Sequence, residues 1–189
     1  MKIHLIRHGK TIANEKKLYC GSTDIPLSYN GILELESLKK EIKYPTGDLL
    51  ISSGLLRASQ TTKIIYKKNP DLLISELNEF NFGLFEMKSY DQLKKNPFYI
   101  NWIENYEEAE CINGESKKIF DNRIHLALKK LTDIKQNNLV VVCHGGVIAT
   151  IMEIFFPSRR NFYEWQPACG RGYTLEADRN FKNLVIQKI

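Results

Sequence analysis

The chain has 189 residues, of which 43% are hydrophobic and 26% charged, with a net charge of +5. That length suits one domain with a sizeable core, and no apolar run approaches the roughly 20 residues that a membrane span requires. The charge surplus comes largely from lysine pairs spread along the chain, such as Lys16-Lys17 and Lys129-Lys130, which read as solvated helix faces. A modest positive bias suits an anionic small-molecule substrate, and no nucleic-acid motif accompanies it.

The start of the chain, an apolar strand and then His-Arg-His chemistry, is not a signal peptide, so the cytoplasm is the expected location. The four cysteines, Cys20, Cys111, Cys143 and Cys169, are widely spaced without a C-x-x-C pair. That argues against a structural zinc site or a disulfide framework and predicts reduced, partly buried thiols.

Residues 2–7 read as a buried strand running into "RHGKT". The "GKT" ends like a nucleotide-binding phosphate loop, but the position five before Gly9 is His4 rather than glycine, so no wrapping turn can form. Helical patterns follow at Ile32 to Ile42 and Leu55 to Tyr66, with a strand, "DLLISS" (48–53), between them. Residues 78–113 are aromatic and acidic, broken at Asn96-Pro97, and read as an inserted helical flap over the sheet. A long helix from about Ser116 to Ile134 repeats Phe120, Ile124, Leu128 and Leu131 at helical spacing. "NLVVVCH" (138–144) is a further buried strand, and "GYTLEAD" and "NLVIQK" close the chain around a turn near Arg179-Asn180. Strands alternating with helices predict a three-layer α/β/α sandwich over 1–189, with a mostly parallel central sheet and the 78–113 flap.

Ligands in such sheets sit beyond the carboxyl ends of the strands. Two predicted strands end in histidine followed by glycine, at His8-Gly9 and at His144-Gly145-Gly146. Glycine there lets an oxyanion approach the backbone, and the amides opening the next helix favour negative charge. His4, within a strand, and His125, within a helix, read as structural. His4 and His8 lie roughly 13 Å apart along a strand, too far to share a metal. A cysteine phosphatase needs Cys-x5-Arg, but Ala149 is the sixth residue after Cys143, and no G-x-S-x-G elbow occurs.

"LIRHGKTIAN" with "CHGG" resembles the histidine phosphatase superfamily, of phosphoglycerate mutase-like fold. The likeness continues through "GSTDIPLSYNG" (21–31), "SSGLLRASQT" (52–61), "LNEFNFGLFE" (77–86), and "GES" (114–116) followed by Arg123. The resemblance implies His8 as the nucleophile that carries the phosphoryl group. It implies Arg7, Arg57 and His144 around the phosphate, with Asn14, Gly21 and the Gly145 amide as further pocket groups. It implies Glu79 as the proton donor, with Glu86 at a second acidic position usually taken as structural. A proton donor at that point needs apolar surroundings, which Phe80, Phe82 and Phe85 would supply.

Enough cationic donors converge to predict activity without a metal or other cofactor. Lys10 stands where an acidic residue often follows R-H-G, and Met87 where many members carry glycine, which leaves the path of the loop under the flap in question. "FNFGLFEMKSYDQL" and "CGRGYTL" look most like α-ribazole phosphatase-type members, with Arg171 and Tyr173 as candidates to face substrate beside a plain strand-entry reading. The expected activity is hydrolysis of a small phosphate monoester, α-ribazole 5′-phosphate in cobalamin nucleotide-loop assembly. Alternatives are a broad-specificity sugar phosphatase, a phosphoglycerate mutase, or an inactive module that binds a phosphorylated ligand.

Overall fold

The computed structural model describes residues 1–157, 161–178 and 184–189. Among these, six strands form one sheet: β1 (Lys2–Arg7), β2 (Leu49–Ser52), β3 (Leu72–Leu73), β4 (Asn138–Cys143), β5 (Gly172–Glu176) and β6 (Val185–Lys188). Their order is β3-β2-β4-β1-β5-β6. The β1–β4, β2–β4 and β2–β3 ladders are parallel, while β5 joins β1 and β6 in antiparallel fashion. The predicted mixed sheet, mostly parallel, is therefore present. The expected turn near Arg179-Asn180 lies outside the described residues.

The central strands are apolar at successive positions because both faces of the sheet are covered. In β4, Leu139, Val141 and Cys143 face one core, and Val140 and Val142 face the other. The first core packs beneath α6 (Lys117–Asp133) and α7 (Gly145–Phe155), through Phe120, Ile124, Leu131, Val147 and Ile151. The second packs beneath α2 (Tyr29–Glu41) and α3 (Leu56–Tyr66), through Leu35, Ala58 and Ile65. A single-turn helix, α1 (Ile12–Glu15), follows β1.

Residues 78–113 hold a short 3-10 turn at Gly83–Phe85, then α4 (Tyr90–Leu93) and α5 (Pro97–Glu104). The break at Asn96-Pro97 is a helix start. The Asn96 side chain accepts from the amides of Phe98 and Tyr99, and Pro97 occupies the first helical position, where its missing N–H is no loss. Phe80, Phe85, Tyr99 and Trp102 then pack edge-on and tilted against one another over the first core. A last short helix, α8 (Phe162–Trp165), lies against α7.

Candidate active site

β1 and β4 are adjacent and parallel, with Arg7 in register with Cys143, so the next residues, His8 and His144, leave the sheet side by side. Their ring centroids are 5.1 Å apart. This is the point where the strand order reverses, since β2 lies to one side of the β4–β1 pair and β5 to the other. Both histidines are buried.

The tautomer of His8 follows from its partner. His8 Nδ1 lies 2.6 Å from the Gly9 carbonyl oxygen, which can only accept, so Nδ1 carries the proton and Nε2 keeps its lone pair. His144 Nε2 lies 2.8 Å from Ser53 Oγ, which also accepts from the Leu55 amide. His144 Nδ1 is buried and has no partner among the described residues, so it carries the ring proton when the Ser53 hydroxyl donates to Nε2. Burial lowers the pKa of both rings well below the usual histidine value. The Arg57 and Arg7 guanidinium groups lower it further, and at His144 the neighbouring His8 does so too.

Arg57 is 1% exposed and donates to the carbonyls of Thr23 at 2.9 Å and Gly21 at 2.6 Å. Arg7 donates from Nη1 to the Pro167 carbonyl, and its Nε is buried without a partner among the described residues. No described carboxylate pairs with either arginine. Two guanidinium groups thus lie beside two histidines that burial keeps neutral, a setting that suits a negatively charged ligand. Gly145 lets Arg7 lie against the start of α7, because a Cβ there would sit 3.0 Å from Arg7 Cζ.

Glu79 faces this group from the 78–113 segment. Its Oε2 accepts from the Gly146 amide at 2.9 Å and its Oε1 from the Phe80 amide at 3.0 Å. Phe80 and Phe85 are buried and Phe82 half-buried. Glu86 is turned away to bind backbone, accepting from the amides of Gly21, Ser22, Thr23 and Phe82 and from the Thr23 hydroxyl. Gly21 is buried under Phe80, where a Cβ would lie 1.6 Å from the Phe80 carbonyl oxygen. Asn14 holds the Thr11 amide through Oδ1 in a capping box, which fixes its side chain at the start of α1.

Several supporting residues carried no assigned role in the sequence reading: Ser53, Gly146, Thr61 and the Arg123–Glu115 pair. Thr61 Oγ1 accepts from the Gly9 amide and donates to the Arg57 carbonyl, tying the loop after β1 to α3. Arg123 meets Glu115 with both ends of its fork at 2.8 Å and donates to the carbonyls of Glu76, Asn78 and Glu79. All four lie inside the recognised motifs. Their roles depend on partners far along the chain.

Other expectations resolve as follows. His4 is held in the sheet by Thr174 and Asn138, each at 2.8 Å, and His125 bonds the Asp121 carbonyl on the surface of α6. Lys10 pairs with Glu34 at 2.8 Å on the surface. Met87 adopts φ of +59°, the left-handed conformation that glycine takes freely, so the loop keeps a glycine-like path despite the side chain. Tyr173 is 4% exposed and packs edge-on against Trp165, so it is a core residue rather than a substrate contact. Cys143 is fully buried and its thiol is pushed far up by burial, which makes it inert as a nucleophile. Among the described residues, no group of three or more metal-ligating side chains comes together, and no helix is long and apolar enough to cross a membrane.

Residues 3–183 match the histidine phosphatase superfamily (branch 1), and the chain belongs to that family. It is a phosphatase of phosphoglycerate mutase-like fold. An adenosylcobalamin/alpha-ribazole phosphatase of Escherichia coli is 32% identical over 157 residues, which cover 80% of this chain and 77% of that one. The alpha-ribazole phosphatase of Shigella flexneri superposes with a TM-score of 0.87 at 27% identity, covering 98% of this chain and 95% of that one. A phosphoglycerate mutase of Thermus thermophilus superposes at 0.75 with 25% identity, covering 100% of this chain and 98% of that one.

Proposed function

We propose that the protein is a metal-independent phosphomonoester hydrolase that works through a phosphohistidine on His8, with α-ribazole 5′-phosphate as its substrate. The observation that carries the chemistry is the pair of arginines that no described carboxylate pairs with, one of them fully buried, beside a histidine whose Nε2 is unprotonated. The named relatives support the choice of substrate.

The ester phosphate enters among Arg7, Arg57, the His144 Nδ1–H, the Gly145 amide and Asn14. These groups stabilise charge on its non-bridging oxygens. His8 Nε2 attacks phosphorus in line, and the bond to the leaving oxygen breaks as Glu79 gives that oxygen its proton. Alcohol departs. Glu79, now a carboxylate, takes a proton from water as its oxygen attacks phosphorus, and the N–P bond breaks to release inorganic phosphate and neutral His8. Each group ends as it began, and the buried guanidinium charges do what a metal ion would otherwise do.

The test is phosphate release from α-ribazole 5′-phosphate and from 3-phosphoglycerate in parallel, with chelator present. A preference of about a hundredfold for the first, roughly 2.8 kcal/mol in the transition state, supports the assignment to cobalamin nucleotide-loop assembly. Conversion of 3-phosphoglycerate to its 2-isomer without phosphate release would favour the mutase reading.

A further inference from the structure

A guanidinium carries five N–H groups in a fixed fork, and at Arg123 each of them meets an acceptor. Nε and Nη2 go to the two oxygens of Glu115, both at 2.8 Å. Nη1 donates to the Glu76 and Asn78 carbonyls at 2.9 and 2.7 Å, and Nη2 also donates to the Glu79 carbonyl at 3.2 Å. One side chain of α6 thus gathers the chain that leaves the 3-10 turn Ser75–Leu77 and runs into the candidate acid. Glu115 holds the same segment from beyond the acid. Its Oε2 accepts from the Asn81 amide at 2.9 Å, and its own amide donates to the Asn81 carbonyl at 2.9 Å. Phe120, whose ring centroid lies 4.9 Å from Arg123 Cζ, packs edge-on against Phe80 at 5.4 Å.

The Glu79 carboxylate meets two backbone amides, those of Gly146 and of its own neighbour Phe80. The second moves with it, so its place against α7 depends on how the backbone from 76 to 81 is set. Both partners of the Arg123–Glu115 pair are mostly buried. A pair taken out of water is a poor device for stability alone, since apolar side chains of like volume do as well or better. What the fork adds is direction. It fixes the carbonyls of residues 78 and 79 at once, which the point charge of a lysine cannot do.

We propose that Arg123 and Glu115 are positioning residues for Glu79: the pair sets the backbone on either side of the acid so that its carboxyl reaches the leaving oxygen, and neither residue touches substrate. The inference rests on the reading of Glu79 as the proton donor. A misplacement of about 1 Å costs on the order of 10²-fold in such a step. The loss falls on esters whose leaving group needs a proton, and spares those that do not.

The test compares alkyl and aryl esters in the full chain. The alkoxides of α-ribazole 5′-phosphate and 3-phosphoglycerate need a proton as they depart, whereas 4-nitrophenolate leaves 4-nitrophenyl phosphate unaided. The quantity to read is kcat/KM, which ends at departure of the leaving group and excludes the later hydrolysis of phosphohistidine. Arg123→Lys, which keeps the charge and loses the fork, should lower the ratio of alkyl to aryl kcat/KM about tenfold. Glu115→Gln should move the ratio in the same direction, and it carries the test if Arg123→Lys does not fold. Added to Glu79→Gln, either substitution should lower the ratio no further, since the acid it positions is gone. Equal losses on both kinds of ester, or a further tenfold fall in the Glu79→Gln background, would overturn the positioning role while leaving Glu79 as the acid. A wild-type ratio in Glu79→Gln itself would overturn the acid, and the role of the pair with it.

Discussion

The Glu79 carboxylate accepts from the Gly146 amide at 2.9 Å, which ties the candidate acid to the helix that also begins with His144. The contact depends on glycine, because a Cβ at 146 would stand 2.4 Å from Glu79 Oε1. Gly146→Ala should therefore displace the acid and lower kcat by about 10²-fold with KM little changed. Gly145→Ala should act differently, since its Cβ meets the Arg7 guanidinium at 3.0 Å and would disturb phosphate binding. Steady-state kinetics on both variants separate the two effects. An unchanged kcat in Gly146→Ala would detach Glu79 from the chemistry.

Glu79 and Glu86 are seven residues apart, and their bonding divides the labour. Glu86 gathers four backbone amides from two loops, so Glu86→Gln should cost about 1–3 kcal/mol of stability. In a chain of this size that is a fall in Tm of roughly 2–4 °C per kcal/mol. Glu79→Gln, which loses one of two amide contacts, should lower Tm less than Glu86→Gln and lower kcat by about 10²–10⁴-fold. Thermal denaturation and turnover on the same two preparations check both halves.

Ser53 Oγ meets His144 Nε2 at 2.8 Å from 91 positions away, and the proposed phosphate contact needs that hydroxyl to donate. Without its hydroxyl, no described residue favours the proton on Nδ1, where a phosphate oxygen would need it. Ser53→Ala should lower kcat/KM by about tenfold, roughly 1.4 kcal/mol, and Ser53→Thr should restore most of it. Nitrogen NMR of the imidazole should show protonated Nδ1 in wild type and a mixture in Ser53→Ala.

The strand ends with their histidines were readable because fully buried strands announce themselves as apolar runs, and β1 was predicted at Lys2–Arg7, its observed limits. The predicted helix at Ile32 to Ile42 begins earlier, at Tyr29. Ser28 caps it through the Gly31 amide, a polar start that the apolar spacing did not mark. β3 escaped notice because it is two exposed leucines defined only by pairing with β2. The motif residues were legible one by one. Ser53 with His144 and Arg123 with the Glu79 carbonyl were not, because those pairings exist only once distant segments meet.

His8 and His144 also predict how stability varies with pH. Their folded pKa values are depressed, while in the unfolded chain each takes a proton near pH 6.5. The unfolded state therefore binds more protons below about pH 6.5, so stability is full above that value and falls as pH drops beneath it. Each ring contributes up to about 1.4 kcal/mol per pH unit in that window. His4, also depressed, acts in the same direction. Urea titrations between about pH 6.5 and 5.5 should show this slope, and His8→Gln should reduce it by one proton's worth. A wild-type stability that rises on acidification would contradict neutral, buried rings.

The central claim is that His8 itself carries the phosphoryl group. The direct measurement is rapid quenching of enzyme turning over α-ribazole 5′-phosphate in chelator, followed by mapping of the modified residue by mass spectrometry. The account predicts one phosphoryl group on His8, labile to acid and stable to base, formed at least as fast as turnover and absent from His8→Ala, which should be inactive. Phosphate release that continues in His8→Ala, or a wild-type enzyme that turns over without an adduct on His8, would contradict it.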